Sequence, residues 1–373
     1  MSAHCKLPRH APRHVPGRAR GLTLIELLVG LTISSLIIVG TVFVYSQSRT
    51  TYALNDRAAR MQEYGRFALS VLEPDLQLAG YYGFSNNSTD LRYMDGTNEI
   101  PTSQLQQDDA PPPSAPATIN SCGNNFALDL ISTVEGTENA YFTTATGCQP
   151  PGGFAWQTGS DTLTIRHAST AAVKATKTKL QVYVNELKRS NQFIFNDEDA
   201  PGPTDARREV HDLVLHSYYV SDRSDGSAST PSLRRKVLST DGTDPKIVDE
   251  EVLAGVEDMQ VQFGIDTGDH NSAAGIDVDE DKNGIPDNPN GLVSRYVNAD
   301  DVLLKTPAKG GVQAQVVAVR IWLRIRADDR EPGFVDARNY DYAGINYTPA
   351  GADAGYRRIV ISHTIFLRNA RTI

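Results

Sequence analysis

About 23 mostly apolar residues run from Leu22 to Val44, and in the stretch that follows, small and apolar side chains return every three or four positions. As a helix the first run is about 35 Å long, enough to cross a bilayer. In the second, Leu54, Ala58, Met61, Gly65, Ala68, Leu69, Leu72, Leu76 and Ala79 share one face, while Arg57, Arg60, Glu63 and Arg66 fall largely off it. That spacing predicts an amphipathic continuation of the same helix. Pro74 lacks an N–H and its ring opposes the carbonyl of Ser70, so a kink or an early helix end is expected there.

Beyond residue 80 the period shortens to two. Val319, Ile321, Leu323 and Ile325 alternate with Arg320, Trp322, Arg324 and Arg326, and Ile359, Ile361, Ile365 and Leu367 share a phase, so each segment reads as a strand with one buried face. Further strands are predicted at 127–132, 161–167, 180–185, 191–195, 212–220 and 256–265, between loops rich in Gly, Asp, Ser and Pro. The stretch 85–125 reads as a long polar connection, with Pro111, Pro112 and Pro113 as a stiff exposed linker. The expected fold class is α+β, a long N-terminal helix packed on an antiparallel sheet.

Composition adds that the chain folds and what it avoids. With 40% hydrophobic and 22% charged residues it can build a core. The net charge of −9 hides a basic leader, in which Lys6, Arg9, Arg13, Arg18 and Arg20 stand without an acid. The remainder is therefore more acidic still, which repels phosphate backbones and argues against nucleic acid as a partner. The next basic residue after the apolar run is Arg49, so the positive-inside rule puts the leader in the cytoplasm and the body outside. Cys5 lies in the leader, which leaves Cys122 and Cys148 as a pair able to form a disulfide in an oxidising compartment. Closing that loop contributes on the order of 3 kcal/mol in the chain-entropy account.

Glu26 does not suit an ordinary membrane anchor, since an acid near the centre of such a helix costs about 2.5–3.5 kcal/mol. Cleavage by signal peptidase near Ser46 to Ser48 and a plain signal anchor both remain as readings, and both leave Glu26 unexplained. The octapeptide Arg20-Gly21-Leu22-Thr23-Leu24-Ile25-Glu26-Leu27 resembles the type III signal of prepilins. The resemblance implies cleavage after Gly21 by a prepilin peptidase, methylation of the new amine at Leu22, and a carboxylate at Glu26 that attracts the terminal amine of a neighbouring subunit.

The segment Gln62 to Leu69, then Asp75-Leu76 and Leu78 to Tyr81, resembles the PilW family of minor pilins, and Asp161 to Arg166, Gly255 to Asp266 and Phe366 to Asn369 follow in that family's order. Pro74, the 85–125 stretch and an acidic insertion at about 266–292 depart from it. The resemblance implies a type IV pilin-like fold. Its parts would be a leader at 1–21, a transmembrane and assembly helix at 22–45, an amphipathic half at 46–80 and a β-rich body at 81–373. The body would be periplasmic while the precursor sits in the bacterial inner membrane, and later at the pilus or cell surface. Partners would be major and minor pilins, the prepilin peptidase and the inner-membrane assembly platform. A minor pseudopilin of a type II secretion system and a pilus-tip adhesin or sensor are the alternatives.

The insertion also carries a calcium pattern. A loop starting at Asp279 sets side-chain oxygens at Asp279, Asp281, Asn283 and Asp287, a carbonyl at Ile285 and Asn290 at the twelfth position. Hard oxygens at alternate positions suit Ca²⁺, weakly without the twelfth-position Glu, and a solvated acidic turn is the competing reading. No nucleophile elbow, zinc helix, phosphate loop or paired-cysteine motif is present, so no catalysis is expected. His363 lies on the apolar phase of the last strand and is expected in the core, whereas His211 and His216, five apart on a strand, should face opposite sides. The row Arg320, Arg324 and Arg326 is able to meet an anion, but a solvated or salt-bridged strand face is its expected state.

Overall fold

The computed structural model describes residues 21–188, 192–198, 201–266, 291–304 and 315–370. By internal packing the chain forms two units, Met1–Arg57 and Ala58–Ile373, and one helix, α1 (Leu24–Leu78), contributes to both. In the first unit every side chain from 21 to 53 is exposed, including Leu24, Ile25, Leu36 and Phe43. Its hydroxyls turn back on the helix: Thr32, Ser35 and Thr41 each donate to a carbonyl three or four residues earlier at 2.8 Å. Polar groups satisfied in this way suit a segment surrounded by lipid rather than water.

In the second unit α1 buries Met61, Gly65, Ala68, Leu72 and Leu76, the stripe that the spacing predicts. A Cβ on Gly65 would stand 2.6 Å from Ile361 Cδ1, so the missing side chain is what lets the helix approach the strands so closely. The expected early end at Pro74 is not found, because α1 continues through it to Leu78. Proline in a helix interior costs about 3 kcal/mol. Leu72 and Leu76, both fully buried on either side of it, offset that with about 1.5–3 kcal/mol each. The chain then leaves the helix at Gly80, where φ is +73° and the N–H donates to the Arg166 carbonyl at 3.1 Å.

The strands are β1 (Leu91–Asp95), β2 (Asn98–Pro101), β3 (Val134–Thr137), β4 (Thr162–Ala172), β5 (Gln181–Asn185), β6 (Gln192–Phe195), β7 (Arg208–Ser221), β8 (Ser232–Thr240), β9 (Pro245–Ala254), β10 (Val256–Asp266), β11 (Arg295–Asn298), β12 (Gln315–Arg326), β13 (Tyr340–Tyr342), β14 (Ile345–Tyr347) and β15 (Arg358–Phe366). Among the described residues they form not one antiparallel sheet but two larger sheets and a hairpin, with one parallel junction between β1 and β6. The first sheet runs β2-β1-β6-β5-β7-β4-β3, with β8 on β7 and β9 on β8; the second runs β11-β10-β12-β15. Side chains of α1 meet Leu163, Ile165 and Tyr218 from the first sheet and Val319, Ile321, Leu323 and Ile325 from the second in one apolar cluster. The helix therefore packs against both sheets.

Two segments correct the sequence reading. Residues 127–132 are turns rather than a strand, because the fully buried Arg166 takes up their surroundings: its Nε donates to the Phe126 carbonyl at 3.0 Å and its Nη1 to the Ser132 carbonyl at 2.6 Å. Leu128 and Leu130 are buried there, which gave the segment its apolar look. The 85–125 stretch is not a polar connection but holds β1, β2 and the buried Leu91, Tyr93, Leu105 and Ile119. Pro112 is buried too and its carbonyl accepts from the Ala115 N–H at 3.0 Å, so this is packed body and no exposed linker.

Candidate assembly and processing site

At the start of the described chain Gly21, Leu22 and Thr23 precede the helix, fully exposed, and nothing lies within 4 Å of where a Gly21 side chain would be. Thr23 and Glu26 then bond each other reciprocally. The Thr23 hydroxyl oxygen accepts from the Glu26 N–H at 3.3 Å, and Glu26 Oε2 accepts from the Thr23 N–H and the Thr23 hydroxyl, both at 2.9 Å. This is a capping box, in which two orphan donors of the first turn are satisfied and an acid sits at the positive end of the helix dipole. The Thr-x-x-Glu spacing was there to be read in the sequence, where attention to the unpaired charge of Glu26 passed over its nearest partner.

The remaining motif segments meet in the second unit. The Asp161 N–H donates to the Met259 carbonyl at 2.8 Å, and Asp161 Oδ2 accepts from the Val261 N–H at 2.8 Å, so the segments around 161 and 259 lock the first sheet to the second. The Ser160 hydroxyl donates to the Met259 carbonyl at 3.1 Å and reinforces the seam. Burial pushes the Asp161 carboxyl up to about 7, against the pull of the two backbone N–H groups and with the help of Glu138 and Asp258 nearby. At the C-terminal end Asn369 Nδ2 donates to the Gln77 carbonyl at 3.2 Å, tying the last motif to the end of α1.

Residues 217–369 match the family model of the type IV pilus-assembly protein W, PilW, and residues 17–42 match the prokaryotic N-terminal methylation motif. The chain is a prepilin-like protein whose body is similar to PilW. No curated protein matches it significantly. Among solved structures it is similar to the type IV-like pilin TTHA1219 from Thermus thermophilus, at 14% identity over 60% of this chain and 83% of that one, with a TM-score of 0.25. The PilW match, the methylation motif and an apolar helix long enough to span a bilayer make the chain a minor pilin of type IV pilus assembly, anchored in the inner membrane and acting in the cell envelope. The PilW match points to a structural role.

Within this PilW-like body the other candidates fall into place by their partners. The arginine row is not an anion site. Arg324 Nε lies 3.2 Å and Arg326 Nη1 3.7 Å from Glu257, which Arg358 also grips with two nitrogens at 2.6 and 2.8 Å. Arg320 stacks 3.7 Å over the Tyr296 ring, with Trp322 on its other flank at 5.7 Å. His363 is not in the core: it is exposed on the edge strand β15, with Nε2 3.8 Å from Glu73. His211 and His216 bind different partners, the Ser169 carbonyl and Asp75. Cys122 and Cys148 are joined by a disulfide, buried beside Phe126 and Leu215. The proposed calcium ligands Asp279, Asp281, Asn283, Ile285, Asp287 and Asn290 lie outside the described residues, and among those described no group of three or more His, Cys, Asp or Glu is arranged to hold a metal ion.

Proposed function

We propose that this minor pilin enters a type IV pilus through its N-terminal helix after cleavage following Gly21 and methylation of Leu22, and that Glu26 registers it against the next subunit. The work is done by assembly and involves no catalysis by the pilin. The reading rests on one observation, the reciprocal bonding of Thr23 and Glu26 at the head of an apolar, exposed helix. Cleavage leaves Leu22 as the single residue ahead of the cap, so its new amine is set beside the carboxylate-bearing turn. In lipid a lone carboxylate is expelled, while one bonded to Thr23 and met by an amine is retained. Thr23 then shields the charge while the chain waits in the membrane, and a neighbour's amine completes the pairing on assembly.

Two measurements test this. Mass spectrometry of the membrane form is expected to show a chain beginning at Leu22 and carrying one added methyl group. Glu26→Ala is expected to insert in the membrane as well as the parent but to enter filaments at least tenfold less, the factor that about 1.4 kcal/mol of lost pairing gives. Equal incorporation of Glu26→Ala removes the registration role and leaves the family assignment standing.

A further inference from the structure

The last turns of α1 are held by histidines from three strands. Asp75 Oδ2 lies 2.6 Å from His216 Nδ1 and also accepts from the Tyr218 hydroxyl, both on β7. Asp75 Oδ1 faces His167 Nε2 of β4 across 3.9 Å. Two residues before Asp75 on the helix, Glu73 faces His363 of β15. The helix end is thus flanked on the side of each sheet by a pairing between imidazole and carboxylate.

His167 is the member whose state the geometry leaves open. Its Nδ1 lies 2.8 Å from the Ala168 carbonyl oxygen, an acceptor only, so Nδ1 carries a hydrogen. In the neutral ring Nε2 is then a bare lone pair. It is buried, has no hydrogen-bond partner, and confronts a carboxylate oxygen that is likewise an acceptor. A proton on Nε2 turns that confrontation into a charge-assisted attraction. We propose that His167 is a proton-operated latch, which fastens the end of α1 to the first sheet when its ring is charged and releases it when the ring is neutral.

The surroundings support this assignment. Asp75 is held ionised: burial pushes its carboxyl up, but the nearby His167 and the bonds from His216 and Tyr218 outweigh burial and hold it well below the usual carboxylate range. The next charges outward are Arg235 of β8, whose Nη1 donates to the Tyr218 hydroxyl at 3.3 Å, and Glu250 of β9, which pairs with Arg235. They neutralise each other. Glu73 and His363 are more than 40% exposed, so water screens their attraction. His167, with a side chain 5% exposed, is not screened. The latch therefore holds where the ring carries its second proton and loosens where it does not. It acts on the helix end and does not depend on how the chain assembles.

The experiment is hydrogen exchange on the full chain in detergent micelles at about pH 5.5 and about pH 7.5, corrected for the intrinsic pH dependence of exchange, which brackets the ordinary imidazole range. Protection of the amides from Leu72 to Leu78 is expected to fall about tenfold between the two, the factor that about 1.4 kcal/mol of lost interaction gives. His167→Gln keeps a neutral donor for Asp75 and is expected to diminish the difference between the two values, and Asp75→Asn to abolish it by removing the charge that both imidazoles meet. Glu73→Gln is expected to leave the response intact. Protection of β12 amides reports that each variant is folded. Equal protection in the parent at the two pH values, or an undiminished response in His167→Gln, overturns the latch.

Discussion

Asp75 and Asp161 are both enclosed carboxylates that join separate parts of the body, yet their surroundings drive them in opposite directions. Asp75 ties α1 to the first sheet and is met by side chains able to carry positive charge or give up a hydrogen: two histidines and a tyrosine. Asp161 ties the first sheet to the second and is met by two backbone N–H groups, with Glu138 and Asp258 adding negative charge. Burial opposes the charge of both. At Asp75 the donors win, and its carboxyl sits well below the usual range; at Asp161 burial wins, and the carboxyl rises to about 7. Enclosure alone therefore does not decide the charge of a buried acid; what the enclosing groups carry does.

The largest effect that breaks the comparison is the loss of Asp75. Asp75→Ala strands His216 and Tyr218 without their shared acceptor inside the body, and breaking a buried pair by removing one member costs about 3 kcal/mol. Chemical unfolding of the full chain in micelles is expected to show a loss of that size near neutral pH. A loss under 1 kcal/mol means that the helix end is held by its leucines alone.

Asp161 sharpens the contrast through pH. Its folded value, about 7, lies above the roughly 3.9 of an unfolded aspartate, so folding takes up a proton between the two. The contribution is fully present below about pH 4 and is lost as pH rises toward 7, by about 1.4 kcal/mol per unit at most. Asp75 has the reverse sign: its contribution is present above about pH 4 and is lost as pH falls further. Asp161→Asn is expected to flatten the decline between about pH 5 and pH 7, read as unfolding midpoints across that range.

How much of this was legible follows from what carries each contact. The membrane run and the buried stripe of α1 are periodic over many residues, so Met61, Gly65, Ala68, Leu72 and Leu76 were readable. β8 and β9 were not, because they pair through a charged ladder in which Arg234, Arg235 and Lys236 face Glu251, Glu250 and Asp249, and no apolar alternation announces them. His363 misled because phase on an edge strand does not guarantee cover from outside. At the assembly site Glu26 stood out as a charge in an apolar run, while its bond to Thr23 is a local spacing that needed only the capping rule. The union of Asp75 with His216, 141 residues away, has no local signature at all and exists only through the register of β4 and β7 beneath the helix.

A smaller, steric change isolates the proton-linked part of these joints. Gly65 lies on the same helix as Asp75, ten residues earlier, and a methyl there meets Ile361 Cδ1 at 2.6 Å and Ile325 Cδ1 at 3.4 Å. Both are the far ends of flexible side chains, so the strands can yield, and overpacking of this kind costs about 1 kcal/mol. Alanine favours helix over glycine by a similar amount, which reduces the net loss. Gly65→Ala is therefore expected to lower stability by less than about 1 kcal/mol, and by the same amount at pH 5 and pH 7, because no titrating group touches the new methyl. A loss that grows with pH would mean that lifting the helix at Gly65 also opens the contact at Asp75, and that the two ends of the buried stripe move as one rigid body.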